Sequence, residues 1–178
     1  MRIIAGTLGG RTFESPRGHR THPMSDKVRG ALFNALGDLG GLTVLDAFAG
    51  SGALSFEAIS RGAKQATALD IDKSAITTVV NSAHALGIAE QVKAIRAGAV
   101  SWMETQPDAT FDIVLLDPPY DDLQPNTLVK LAERATDGGV VVLSLPPTAD
   151  IELSPTTYRL LSSKSYGDAT LRFYRRAA

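Results

Sequence analysis

The sequence predicts an α/β protein built on a doubly wound, seven-stranded, mostly parallel sheet. Three observations carry that prediction. Short apolar, β-branched runs alternate with helix-period segments from residue 42 to residue 144, the pattern of parallel strands joined by crossover helices. One such run leads into Gly50-Ser51-Gly52 and a helix, and another ends abruptly at Asp117-Pro118-Pro119-Tyr120. Two further strand-like segments, Tyr158 to Lys164 and Thr170 to Tyr174, follow each other without a helix and so read as a closing antiparallel pair.

Each element has a local reason. Residues 1–23 alternate weakly and contain Gly6, Gly9, Gly10, Pro16, Gly18 and Pro23, which suits a short hairpin and an extended arm. We take them as an N-terminal basic arm beside a domain spanning residues 24–178. Ser25 suits a helix N-cap, and Val28, Ala31, Leu32, Ala35, Leu36 and Leu39 form an apolar stripe stopped by Gly40-Gly41. Parallel strands are expected near 42–46, 66–70, 92–96, 111–117 and 139–144. Helices are expected near 53–60, 73–86, 99–105 and 124–136, with Gly87 as a C-cap.

The run Phe111 to Leu116 reads as a buried strand, and two prolines in succession end it, because each lacks a backbone N–H and fixes φ. The carboxyl edge of an open α/β sheet is where ligands bind. Asp117 and the backbone carbonyls there accept hydrogen bonds from an amine, and Tyr120 suits stacking on the flat ring that carries it. A planar amine such as that of a nucleobase fits this constellation.

The turn after Leu42-Thr43-Val44-Leu45 begins with an acid, Asp46, and the next strand ends in another, Asp70. Glycines at 50 and 52 permit a tight turn and close ligand approach. Asp70 stands where nucleoside-binding folds place an acid on ribose hydroxyls. A dinucleotide is disfavoured: the third glycine of G-x-G-x-x-G is Ser55, and a pyrophosphate wants cations and helix N-termini rather than Asp46. S-adenosylmethionine carries a sulfonium and an ammonium, so Asp46 suits its amino-acid end. Ser51 and Asn34 are candidates for further polar contacts, with Phe33 and Phe48 as packing.

The 178 residues carry 44% hydrophobic content, enough for one domain with a full core, and no cysteine for disulfides or thiolate metal sites. His19, His22 and His84 have no metal-ligand spacing, so no metal is expected. No apolar run approaches the roughly 20 residues of a membrane span, and no secretory signal is evident. A cytoplasmic protein is the expectation. Net charge is −1, yet both ends are basic: residues 1–23 hold four arginines against Glu14, and residues 158–178 hold five basic residues against Asp168. That distribution suits nucleic-acid binding. The expected phosphate contacts are Arg2, Arg11, Arg17 and Arg20, with Arg172 and Arg175.

Taken together, the chain resembles the bacterial RNA guanine-N2 methyltransferases that modify 16S ribosomal RNA. The resemblance runs nearly end to end. It rests on Met1-Arg2-Ile3-Ile4-Ala5-Gly6, Gly10-Arg11, Val28-Arg29, Ala31-Leu32-Phe33-Asn34, Leu45 to Leu54, Ser60-Arg61-Gly62-Ala63, Phe111 to Tyr120 and Tyr166-Gly167. The N-terminal stretch is the specific part, since the glycine loop and Asp-Pro-Pro-Tyr are shared by many methyltransferases. The resemblance implies a Rossmann-like class I methyltransferase fold, S-adenosylmethionine as cofactor, and 16S ribosomal RNA within a small-subunit particle as partner of a monomeric enzyme. It implies methyl transfer at Asp117, Pro118, Pro119 and Tyr120. Adenine-N6 methylation of DNA or RNA, or a non-catalytic RNA-binding module, are the alternatives. The family usually places an acid on the cofactor's adenine after the third strand. This chain reads Ile95-Arg96-Ala97-Gly98 there, which leaves that contact to backbone groups or Trp102, or else lowers the affinity.

Overall fold

The computed structural model describes residues 1–16 and 23–178. Seven strands form one sheet in the order β3-β2-β1-β4-β5-β7-β6. They are β1 (Thr43–Asp46), β2 (Gln65–Asp70), β3 (Val92–Arg96), β4 (Phe111–Leu116), β5 (Ala135–Leu145), β6 (Tyr158–Tyr166) and β7 (Ala169–Arg176). The first five run parallel, and β7 pairs antiparallel with both β5 and β6. The helices are α1 (Asp26–Leu36), α2 (Ala53–Ser60), α3 (Lys73–Ala85), α4 (Ala99–Thr105) and α5 (Pro125–Ala132). Strand order reverses between β1 and β4, the switch point at which an open sheet leaves a crevice. Both diagnostic loops, after β1 and after β4, leave from that point.

Side chains alternate cleanly across the sheet. Val44, Ile113, Leu115, Val142 and Leu171 join the core under α2 and α3, while Leu45, Val114, Leu116, Leu143 and Tyr174 join the core under α4 and α5. Burial on both faces is why the central strands are nearly continuous apolar runs.

Residues 1–16 form a hairpin held by Ile3 N–H donating to the Arg11 carbonyl and Phe13 N–H to that of Met1. Ile3 and Phe13 are buried in the core that holds Phe56, and the Phe13 and Phe56 rings meet edge to face at 5.1 Å. Polar contacts fix the hairpin further. The Glu57 carboxylate accepts from Ile4 and Ala5 N–H at 2.9 and 3.1 Å and from Arg61 at 2.8 Å, with the fully buried Arg29 guanidinium 3.6 Å away. Gly6 passes so close to α2 that a Cβ would stand 2.0 Å from the Ser60 carbonyl oxygen.

Two element ends differ from expectation. Helix α1 stops at Gly37, whose φ of 76° and N–H bond to the Phe33 carbonyl close it before the Gly40-Gly41 pair. Leu39, the last residue of the expected stripe, is buried from the following loop instead. Helix α5 ends at Ala132 because β5 begins early: Ala135 pairs with Phe111 before the register shifts to Val140 against Ile113.

Candidate active site

Strand alternation brings four polar residues to one place. Asp70 on β2, Asp46 on β1, Asp117 just past β4 and Ser144 on β5 all sit at the carboxyl edge, in phase with the residues that face α2 and α3. Asp46 is 1% exposed; its Oδ2 accepts the Ser55 hydroxyl at 2.8 Å, and its Oδ1 has no partner. Burial, reinforced by the negative charges of Asp117 and Asp70, pushes its carboxyl up to about 7 against the pull of the Ser55 bond.

The glycine loop is braced from below. Asp70 accepts Gly50 N–H at 2.8 Å through Oδ2 and Asp72 N–H at 2.9 Å through Oδ1. Each oxygen keeps a lone pair, since a carboxylate offers about four acceptor sites. The two glycines have different jobs. Gly50, at φ 54°, faces open space; a Cβ on Gly52 would lie 2.8 Å from the Phe56 ring and 3.1 Å from Val79. Gly52 therefore lets α2 pack, and Gly50 leaves the crevice clear. Ser51 is buried and its hydroxyl accepts Ala53 N–H at 3.3 Å, and Phe48 packs toward α4 and α5.

After β4, the Pro119 carbonyl accepts Asp122 N–H, while no donor reaches the Pro118 carbonyl among the described residues. Tyr120 is 39% exposed and its hydroxyl lies 3.2 Å from the Ser144 hydroxyl. Burial raises the Asp117 carboxyl to about 6, with the Ser144 hydroxyl pulling the other way.

Several expected site residues lie elsewhere. Asn34 accepts Arg61 at 2.9 Å beyond the C-terminal end of α2, whereas the glycine loop is at its N-terminal end, about 12 Å away along the helix. Trp102 is buried between Phe111 and Arg134, so it presents no ring to an adenine. At the surface stands Ile71 instead: it is 73% exposed directly after Asp70, with its Cδ1 3.8 Å from where a Gly98 Cβ would stand. Its signal in the sequence was an apolar residue placed right after the strand-end acid.

The arginines are also redistributed. Arg11 donates to the Ala85 and Leu86 carbonyls, capping the far end of α3, where a cation complements the helix dipole. Arg175 bonds the Gly138 carbonyl near the opposite edge of the sheet, and Arg172 turns to the other face to meet the Ile151 carbonyl. Arg2 pairs with Asp26 and stays largely exposed. Arg17 and Arg20 lie outside the described residues. The described residues hold no cluster of three or more potential metal ligands, and no helix is long and apolar enough to cross a membrane.

Residues 1–175 match the family described as Conserved hypothetical protein 95. The chain belongs to that family. Three relatives match nearly its whole length. The ribosomal RNA small subunit methyltransferase D of Haemophilus influenzae is 32% identical over 98% of this chain and 93% of its own. The Escherichia coli protein of that name is 30% identical over 100% of this chain and 91% of its own. The solved Escherichia coli protein yhhF, named as a methyltransferase, superposes with a TM-score of 0.88 at 30% identity, covering 100% of this chain and 98% of its own. This member of the family is thus an enzyme of the methyltransferase class, on the fold its sequence predicts.

Proposed function

We propose that the protein transfers a methyl group from S-adenosylmethionine to the exocyclic N2 amine of a guanine in 16S ribosomal RNA, acting in the cytoplasm on a small-subunit particle. The observation that carries this reading is the pairing of two acceptors, the Asp117 carboxylate and the partner-free Pro118 carbonyl, beside the partner-free Oδ1 of Asp46. The names of the relatives supply the ribosomal substrate.

The residues present fit S-adenosylmethionine. Asp46 Oδ1 is a buried acceptor waiting for a cationic donor, and the ammonium of the amino-acid end is one. Gly50 leaves the space above the loop open, Asp70 keeps lone pairs for ribose hydroxyls, and Ile71 beside Gly98 offers an apolar ledge for the flat adenine. When bound, the cofactor supplies an electrophilic methyl group on a good leaving group. Asp117 and the Pro118 carbonyl accept the two amine hydrogens and so aim the nitrogen lone pair. The Asp117 carboxylate stabilises the positive charge that grows on nitrogen as its bond to carbon forms, then takes the departing proton. Tyr120 stacks on the base, a contact worth about 1–3 kcal/mol. A base inside a duplex keeps its amine out of such a crevice, so the target is unpaired or flipped. Arg2, Arg17 and Arg20 supply phosphate contacts.

The test offers tritiated cofactor to small ribosomal subunits, to their naked RNA and to duplex DNA. Labelled N2-methylguanine from ribosomal substrate is the expected product. Label in N6-methyladenine of DNA would overturn the target, and no label in any substrate would favour an RNA-binding module without catalysis.

A further inference from the structure

We infer that Ser144 is a positioning residue that couples the stacking Tyr120 to the amine-accepting Asp117. The inference rests on the reading of Asp117 given above. Ser144 is 2% exposed and stands in an otherwise apolar strand end, between Leu143 and Leu145. A buried hydroxyl there costs free energy unless it is hydrogen-bonded. One partner is the Tyr120 hydroxyl at 3.2 Å. The second partner is the inferred one: Leu116 pairs with Leu143, which sets the next residues, Asp117 and Ser144, on adjacent strand ends and the same face, and Ser144 is the group that lowers the Asp117 carboxyl against its burial.

The direction of this chain of bonds is set by Asp117. In the proposed chain the ionised Asp117 carboxylate only accepts, so the single Ser144 proton turns to it and the Tyr120 hydroxyl donates to Ser144. The carboxylate thereby holds the tyrosine ring through one intermediate hydroxyl, while the ring itself remains exposed to a base. The serine in return keeps Asp117 ionised in a site crowded with acids. Asp46 faces it from β1, with Asp70 beyond; Asp168, in the β6–β7 turn, bears on Tyr120. Arg172, four residues beyond Asp168, is spent on the Ile151 carbonyl and Glu152 across the sheet. Ser144 is thus the neutral group that offsets the crowding.

The experiment compares the pH profile of kcat/KM for methyl transfer in the intact wild-type protein, Ser144→Ala, Tyr120→Phe and the double variant, with cofactor affinity measured alongside. Loss of a hydrogen bond to a charged group should move the acidic limb of Ser144→Ala up by about one pH unit. Tyr120→Phe should move it less, in the same direction. The double variant should match Ser144→Ala alone, because the chain is already broken at the serine. Cofactor affinity should be unchanged. An unmoved limb in Ser144→Ala, or shifts that simply add, would overturn the inference. Tyr120→Phe tests it independently, since that variant leaves the buried strand end intact. Asp117→Ala separates the two readings: turnover in that variant defeats the assignment of Asp117, whereas an inactive Asp117→Ala with an unmoved Ser144→Ala limb defeats the serine alone.

Discussion

The Ser55 hydroxyl donates to Asp46 at 2.8 Å from the position where a dinucleotide-binding turn carries its third glycine. That glycine would let helix and strand pack closer; the serine instead fixes a buried carboxylate with one oxygen left over. A single side chain thus separates a crevice suited to a cationic ligand from one suited to a pyrophosphate.

Asp46 makes stability depend on pH. Its folded pKa of about 7 exceeds the ordinary 3.8, so the native state keeps a proton that the unfolded chain releases in between. Stability falls as pH rises through that window and levels off above it, by up to about 4 kcal/mol. Asp46→Asn should flatten this slope in urea titrations run from pH 5 to pH 8, and should weaken S-adenosylmethionine binding in calorimetry. A variant with the wild-type slope would show that Asp46 titrates normally.

Asp117→Ala should abolish methyl transfer and leave cofactor affinity within a few-fold of wild type, because the acceptor is lost while the glycine loop stays intact. Tyr120→Ala should retain chemistry at about 5- to 150-fold lower efficiency, the equivalent of one lost stacking contact. Near-normal rates in Asp117→Ala, read by tritium transfer, would remove it from the reaction.

Gly52→Ala and Gly50→Ala should separate stability from binding. The first forces a methyl against Phe56 and Val79 at φ 84°, so a loss of about 2–4 kcal/mol in unfolding free energy is expected. The second meets nothing in the protein and should cost about 1–2 kcal/mol of backbone strain. Its larger effect should be on cofactor affinity. Equal destabilisation with unchanged binding would contradict the division of labour between the two glycines.

Salt titrations should sort the arginines. Three phosphate contacts with a single strand give a slope near −2 in log affinity against log salt. Arg17→Ala with Arg20→Ala should flatten it. Arg11→Ala should leave the slope alone and lower stability by about 1 kcal/mol, since its guanidinium serves the end of α3. A flattened slope in Arg11→Ala would return that residue to the RNA.

The parallel strands were legible because burial on both faces writes an apolar run bounded by glycine or proline, and the three acids were legible because each ends such a run. Ser144 and Ile71 obey the same rule, but a serine in an apolar strand and an isoleucine after an acid carry no distinguishing chemistry alone. The arginines were read by charge, which counts cations without saying which carbonyls they meet. Arg11 finds the end of α3 some 74 residues along the chain, and no local pattern encodes that meeting. Asn34 is a like case: nothing in its local sequence encodes which end of α2 it faces. Two glycine signals compete at the end of α1, and the earlier, Gly37, takes a positive φ and closes the helix first.

The grip of Glu57 on the hairpin sets an order of events during synthesis. The Ile4 N–H waits for a carboxylate 53 residues downstream, and Gly6 has nothing to lie against until Ser60 is made. At about 5–20 residues per second, the hairpin residues stay without their partners for roughly 3–10 s after they are made. The hairpin is therefore made before α2 and seated only after it, and a nascent chain halted before α2 emerges should leave it open to a protease or a chaperone.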